Sequence, residues 1–217
     1  MSSARTLPES APRAVSLVLI RHGETEWNAA ARIQGFHDIA LSQRGREQAQ
    51  SLAQALADEP LAAVYCSDLG RAIETARPVA RMRGLELRKD ARVRERGFGI
   101  FEGHTYEEAE AMWPNEYAIW KRREPGYALP QGGESFLAGR ARVFAFLEDV
   151  AREHAGSTVA VITHGGVLDI VFRTAHGIPW ETPRSHLMPN ACINRVTVRL
   201  PGPTLEIHTW GDDSHLI

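Results

Sequence analysis

The sequence predicts an α/β protein: a three-layer sandwich whose mixed, mostly parallel sheet carries helices on both faces, with a helical lid over the strand ends. Three observations carry this expectation. Apolar runs rich in β-branched residues alternate with stretches whose apolar residues recur every three to four positions, as in strands interleaved with covering helices. Two such runs, residues 15–20 and 159–162, stop abruptly at Arg21-His22-Gly23 and Thr163-His164-Gly165-Gly166, so two buried strands would deliver histidines to their carboxyl ends. Two late runs, residues 191–200 and 205–210, are joined by Pro201-Gly202-Pro203, a turn sequence that pairs them antiparallel and makes the sheet mixed.

Taken in order, residues 1–14 mix Ser, Pro and Ala without a hydrophobic period and are expected to form a flexible tail, leaving 15–217 as one domain. Residues 28–41 read as loop and carry Gln34, Gly35 and Asp38. Ser42 opens a helix, in which Ala49, Leu52, Ala53 and Leu56 form an apolar stripe that can lie on a sheet. A strand over 61–66 leads into a helix that Ser67 or Asp68 would cap. That puts Arg71 in its first turn, where free N–H groups and the helix dipole favour an anion. Pairing of Arg71 with Glu74 or Asp68 is the ordinary alternative. A short strand over 85–88 follows. Residues 94–133 then hold no sheet-building strand, only a helical stretch over 105–123 broken at Pro114 and a loop rich in Pro and Gly, which reads as a lid. Its Trp113, Tyr117, Trp120 and Tyr127 either stack on a ligand ring or pack the lid. A long helix over 135–152 would bury Phe136, Val143, Phe144, Leu147 and Val150, and a further helix over 167–176 follows the second strand-end histidine.

The formal net charge of −2 over 217 residues gives no overall basic field, so nucleic acid is not an expected partner. No apolar run approaches the roughly 20 residues of a membrane span. A cytoplasmic protein without a membrane partner is expected. The two cysteines, Cys66 and Cys192, are too few for a disulfide framework and lack zinc-site spacing, so they read as buried free thiols.

Assembling the strand-end residues places Arg21, His22, Arg71 and His164 together, with Glu95 from the start of the lid. Two fixed guanidinium groups can chelate a tetrahedral dianion and leave an imidazole nitrogen free to attack phosphorus. Phosphoryl transfer needs little beyond positioning and charge stabilisation, and no metal is required. Taken singly, each histidine has a dull explanation, since the chain holds nine. Arg21 changes the balance, because a cation beside an imidazole favours the neutral, nucleophilic form.

The stretch Arg21-His22-Gly23-Glu24-Thr25-Glu26-Trp27-Asn28 resembles the signature of the histidine phosphatase (phosphoglycerate mutase-like) superfamily, and the resemblance extends over most of the chain. It implies that His22 is the nucleophile that becomes a phosphohistidine. It further implies that Arg21, Asn28, Gln34, Gly35, Arg71, His164 and the backbone N–H of Gly165 line the phosphate pocket. Glu95, within Arg94-Glu95-Arg96-Gly97-Phe98-Gly99, would be the acid for the leaving oxygen and the base for water; a salt bridge to Arg94 or Arg96 is its plainer alternative.

Mutases of the superfamily follow their acid with a tyrosine and, further on, a lysine that hold the substrate carboxylate, whereas this chain has Phe98 and Tyr106. Gly132-Gly133-Glu134-Ser135, residues 190–195 and the tail 210–216 look more like the phosphatase branch. The leading expectation is therefore a phosphomonoesterase acting on a small phosphate ester with no metal and no cofactor. A phosphoglycerate mutase using 2,3-bisphosphoglycerate is kept open by the basic cluster Trp120-Lys121-Arg122-Arg123, and a phosphate-dependent binding module is the non-enzymatic alternative. The sequence leaves a homodimer open.

Overall fold

Strand β1 (Ala14–Arg21) turns Leu17 and Leu19 to one face of the sheet and Val18 and Ile20 to the other, and all four are buried, as a central strand covered on both sides requires. The structure, a computed structural model, describes residues 14–216. The tail expected over 1–14 lies outside the described residues except for Ala14, which already belongs to β1. A short helix α1 (Glu26–Ala29) interrupts the stretch read as loop, because Thr25 and Asn28 form a reciprocal capping box at its start. Helix α2 (Gln43–Ala55) is capped as expected by Ser42, whose hydroxyl accepts from the Gly45 N–H at 3.0 Å. The order continues with β2 (Leu61–Cys66), α3 (Gly70–Met82), β3 (Leu87–Lys89), α4 (Tyr106–Met112), α5 (Pro114–Lys121), α6 (Phe136–Glu153), β4 (Thr158–Thr163), α7 (Gly165–His176), β5 (Ile193–Arg199) and β6 (Thr204–Asp212).

The six strands run in the order β3-β2-β4-β1-β5-β6, with the first four parallel and β5 and β6 antiparallel. Three layers result. On one face α2 and α3 bury Leu52, Leu56, Ala76 and Val79 against the sheet; on the other, α6 and α7 bury Phe146, Leu147, Leu168 and Ile170. Because β4 lies directly beside β1, with Arg21 opposite Thr163, the two strand-end histidines emerge side by side. This edge, beyond the carboxyl ends of the strands, is where open α/β sheets bind ligands.

The segment 94–133 adds no strand to the sheet. It packs its own small core, in which Ile33, Phe101, Ala109, Tyr117 and Leu129 are buried and Trp113, Trp120 and Tyr127 pack against them. The helical stretch does break at Pro114, which occupies the first turn of α5, where its missing N–H costs nothing. Cys66 and Cys192 are buried free thiols. Among the described residues no helix is long and apolar enough to cross a membrane.

Three expectations need correction. Neither Ser67 nor Asp68 caps α3: its start is held from a distance by Asp38, whose carboxylate accepts from the Gly70 N–H at 2.6 Å, while Asp68 takes a two-pronged bond from Arg94 at 2.6 and 2.5 Å. A long-range cap is invisible to local sequence spacing. Strand β3 also starts two residues later than expected, and α7 two residues earlier, with its amino end at Gly165.

Candidate active site

His22 is 2 % exposed at the end of β1, and its backbone is fixed on both sides. Its N–H donates to Thr163 O at 2.9 Å, and its carbonyl accepts from the Asn190 side chain at 3.1 Å and the Ala191 N–H at 3.2 Å. The ring Nδ1 lies 2.7 Å from Gly23 O. A carbonyl can only accept, so the proton sits on Nδ1 and Nε2 carries the free lone pair. Burial, and then the guanidinium groups of Arg71 and Arg21, push this imidazole well below its ordinary 6.5, although the Gly23 bond opposes them. The result is a neutral imidazole of one defined tautomer.

The loop that follows lies tightly on α2. A Cβ at Gly45 would stand 2.0 Å from Glu24 O, so only glycine permits that approach. Gly23 N–H in turn donates to Thr75 Oγ1 at 2.9 Å, and that hydroxyl donates to Arg71 O at 2.7 Å, linking the loop to α3.

Arg71 is fully buried in the first turn of α3, and its two terminal nitrogens donate to His37 O at 2.7 Å and Gly35 O at 2.8 Å. It pairs with neither Glu74 nor Asp68. Arg21 donates to Met188 O at 2.6 Å. The Nε of each arginine and both ring nitrogens of His164 are buried without a partner within the protein. Leaving a charged donor so costs several kcal/mol by the usual scale, roughly 1–3 for each neutral group and more for an ion. An oxyanion bound here recovers that cost.

The other expected residues take different places. Asn28 lines the cleft, and its Oδ1 accepts from Thr25 N–H, Thr25 Oγ1 and Asn190 Nδ2, so its amide NH2 is the group left to donate. Gln34 and Gly35 also line the cleft, Gly35 orienting Arg71 through its carbonyl. His164 is fully buried beside His22, ring centroids 5.1 Å apart, with both ring nitrogens unpartnered. Gly165 lines the cleft at the amino end of α7.

Glu95 does not form the salt bridge that was its plainer alternative. Arg94 is committed to Asp68, and the Arg96 guanidinium stacks 3.8 Å from the Phe136 ring centroid, where burial lowers its pKa to about 10. The Glu95 carboxylate instead accepts from the N–H groups of Arg96 at 2.8 Å and Gly166 at 3.0 Å, capping α7 at the cleft wall. A Cβ at Gly166 would lie 2.1 Å from Glu95 Oε1. The absence of a side chain at Gly166 thus admits the carboxylate.

These residues face a cleft of about 870 Å³, far larger than a phosphate. Sequence reasoning missed its outer wall, formed in part by Phe136, Arg184, Leu187 and Asp213, because loop residues converging from several elements leave no spacing signal. Of the basic cluster at 120–123, Trp120 and Arg123 line the cleft, and Arg123 is held by Asp169 at 2.6 Å. Among the described residues no three or more His, Cys, Asp or Glu side chains form a metal-binding group.

Both buried imidazoles have a consequence for stability. Burial first, and then Arg71, also hold His164 well below 6.5. Below pH 6.5 the unfolded chain therefore takes up protons that the folded protein refuses, so stability falls as pH drops, by up to about 1.4 kcal/mol per pH unit for each histidine. Urea midpoints in phosphate-free buffer at about pH 7.5 and about pH 5.5 check this. A midpoint that holds or rises at the lower pH would mean that the imidazoles charge in place.

An α/β sheet that sets a neutral buried histidine between two guanidinium groups defines a class of protein, one built to hold an oxyanion against an imidazole nitrogen. The family described as histidine phosphatase superfamily (branch 1) matches residues 17–212, and the chain belongs to that superfamily. It is 37% identical over 202 residues to phosphoglycerate mutase-like protein 4 of Arabidopsis thaliana, covering 92% of this chain and 86% of that protein. It is equally 37% identical over 202 residues to a metal-independent phosphoserine phosphatase of Arabidopsis thaliana, covering 92% and 82%. Among solved structures, a phosphoserine phosphatase mutant from Entamoeba histolytica in complex with phosphoserine superposes with a TM-score of 0.82 at 27% identity, over 94% of this chain and all of the other.

Proposed function

We propose that the protein is a phosphomonoesterase that hydrolyses a small phosphorylated metabolite through a phosphohistidine at His22, without metal or other cofactor. The observation that carries this is the His22 Nδ1–H bond to Gly23 O, which leaves Nε2 unprotonated beside two buried arginines with unpartnered Nε groups. Membership of the superfamily and the phosphatase named among its relatives support the activity.

In the first step the Nε2 lone pair forms a bond to phosphorus while the ester P–O bond breaks, and Glu95 in its acid form gives its proton to the leaving oxygen. Arg21, Arg71 and Asn28 hold the equatorial oxygens, whose charge grows in the transition state. In the second step Glu95, now ionised, takes a proton from water as the water oxygen attacks phosphorus, and the N–P bond breaks to release inorganic phosphate. His164 packs beside the nucleophile, and one of its unpartnered ring nitrogens donates to the bound phosphoryl group. Residues 15–217 act as one domain with 94–133 as its lid. Buried free thiols fit a cytoplasmic setting.

The two arginines with buried Nε groups, Arg21 and Arg71, supply the positive charge that metal ions supply in phosphatases of other designs. Turnover should accordingly survive exhaustive chelation. Loss of activity in chelator, restored by added magnesium or zinc, would overturn metal independence, and phosphoserine is the first ester to use.

A further inference from the structure

Arg142 lies on α6, one face of which packs against the sheet, yet its guanidinium reaches the strand-end stretch that carries Glu95. All five of its N–H groups are engaged. Nε and one Nη2 hydrogen hold the Glu134 carboxylate at 2.7 and 2.8 Å, the fork that matches a carboxylate's two oxygens. The other three go to nearby backbone carbonyls: Arg92 O at 2.7 Å, Arg94 O at 2.8 Å and Glu95 O at 3.0 Å. Glu134 N–H donates to Gly97 O at 2.8 Å, so the backbone is gripped on both sides of Glu95. Both side chains are mostly buried, at 18 and 16 % exposure, where such bonds are stronger than in water.

We propose that Arg142, neutralised by Glu134, is a positioning residue for the Glu95 carboxyl group, a role that rests on the acid–base assignment of Glu95 above. The clamp fixes the peptide units around Glu95, and the Gly166 N–H then fixes its carboxylate, so the proton is delivered at one place in the cleft. It also gives a task to the Gly132-Gly133-Glu134-Ser135 stretch, which ends at the cap of α6. Lysine cannot substitute. An ammonium has three donors with no planar fork, so it cannot hold a carboxylate and three carbonyls together.

A residue that merely braced the lid would slow all substrates alike. A residue that acts through the general acid matters only where the leaving oxygen needs a proton. The test measures kcat/KM for Arg142→Lys on phosphoserine, a poor leaving group, and on dinitrophenyl phosphate, a good one, with and without Glu95→Gln. We expect a loss of roughly 10- to 100-fold on phosphoserine, the scale of a small misplacement of a catalytic group, with little change on the aryl ester. In the Glu95→Gln background the same substitution should cost almost nothing further, because the group it positions is gone. Glu134→Gln keeps the shape but removes the charge, and it carries the same comparison should Arg142→Lys fail to fold. Equal losses on both esters, or the full loss repeated in the Glu95→Gln background, overturn the positioning role while leaving the acid role intact. A Glu95→Gln enzyme that treats both esters alike removes the acid role itself, and the positioning role with it.

Discussion

Replacing His22 with alanine should lower turnover by roughly four to six orders of magnitude, the scale on which enzymes lose a covalent nucleophile. Wild-type protein quenched during turnover should carry a phosphoryl group that acid releases and alkali preserves, as expected of a phosphoramidate, and the variant should carry none. His22→Gln keeps more of the buried volume and should fail in the same way, which separates loss of chemistry from loss of packing. The tautomer sharpens the expectation. With Nδ1–H committed to Gly23 O, only Nε2 can be phosphorylated, so mapping the phosphoryl group to Nδ1 would contradict the geometry. Near-normal turnover by either variant would remove His22 from the mechanism.

How far such a site could be read from the sequence depends on what kind of contact makes it. The two strand-end histidines are visible because a buried strand writes its boundary into the chain: Leu17 to Ile20 are apolar and Arg21-His22 are not. The sheet's mixed character was visible in Pro201-Gly202-Pro203 for the same local reason. That His22 and His164 share one site follows from their common strand-end position, but that they are immediate neighbours needs the pairing of β1 with β4, which local periodicity does not specify. The Asp38 cap on α3, the Thr75 bridge from Gly23 to Arg71 and the Arg142 clamp join positions 32, 52 and 47 to 50 residues apart. In the sequence Arg142 is one arginine among several on an amphipathic helix, and nothing in its spacing distinguishes it. Polar contacts of that length are set by the fold rather than by pattern. They supply the rigidity that lets a few local motifs become a site.

Glu95→Gln should slow turnover of phosphoserine by roughly 100- to 10,000-fold, the usual worth of a general acid or base, while leaving substrate binding nearly intact. Glutamine retains an oxygen that can accept from the Gly166 and Arg96 N–H groups, so the wall of the cleft keeps its shape. What it loses is the capacity to give a proton to the leaving oxygen and then to take one from water. The second loss bears on hydrolysis against phosphoryl exchange. A mutase must hold its intermediate in place and keep water away, whereas here Phe98 and Tyr106 line the cleft and Tyr106 is half exposed, so a phosphoglycerate lacks the tyrosine and lysine that would clamp its carboxylate. Water can then reach the phosphohistidine beside Glu95. Inorganic phosphate should be the dominant product from every ester accepted, and the Glu95→Gln protein should accumulate phosphohistidine with an ester whose leaving group needs no acid. Interconversion of the two monophosphoglycerates faster than phosphate release from any ester would show that the intermediate is shielded from water, and the hydrolytic assignment would have to be withdrawn.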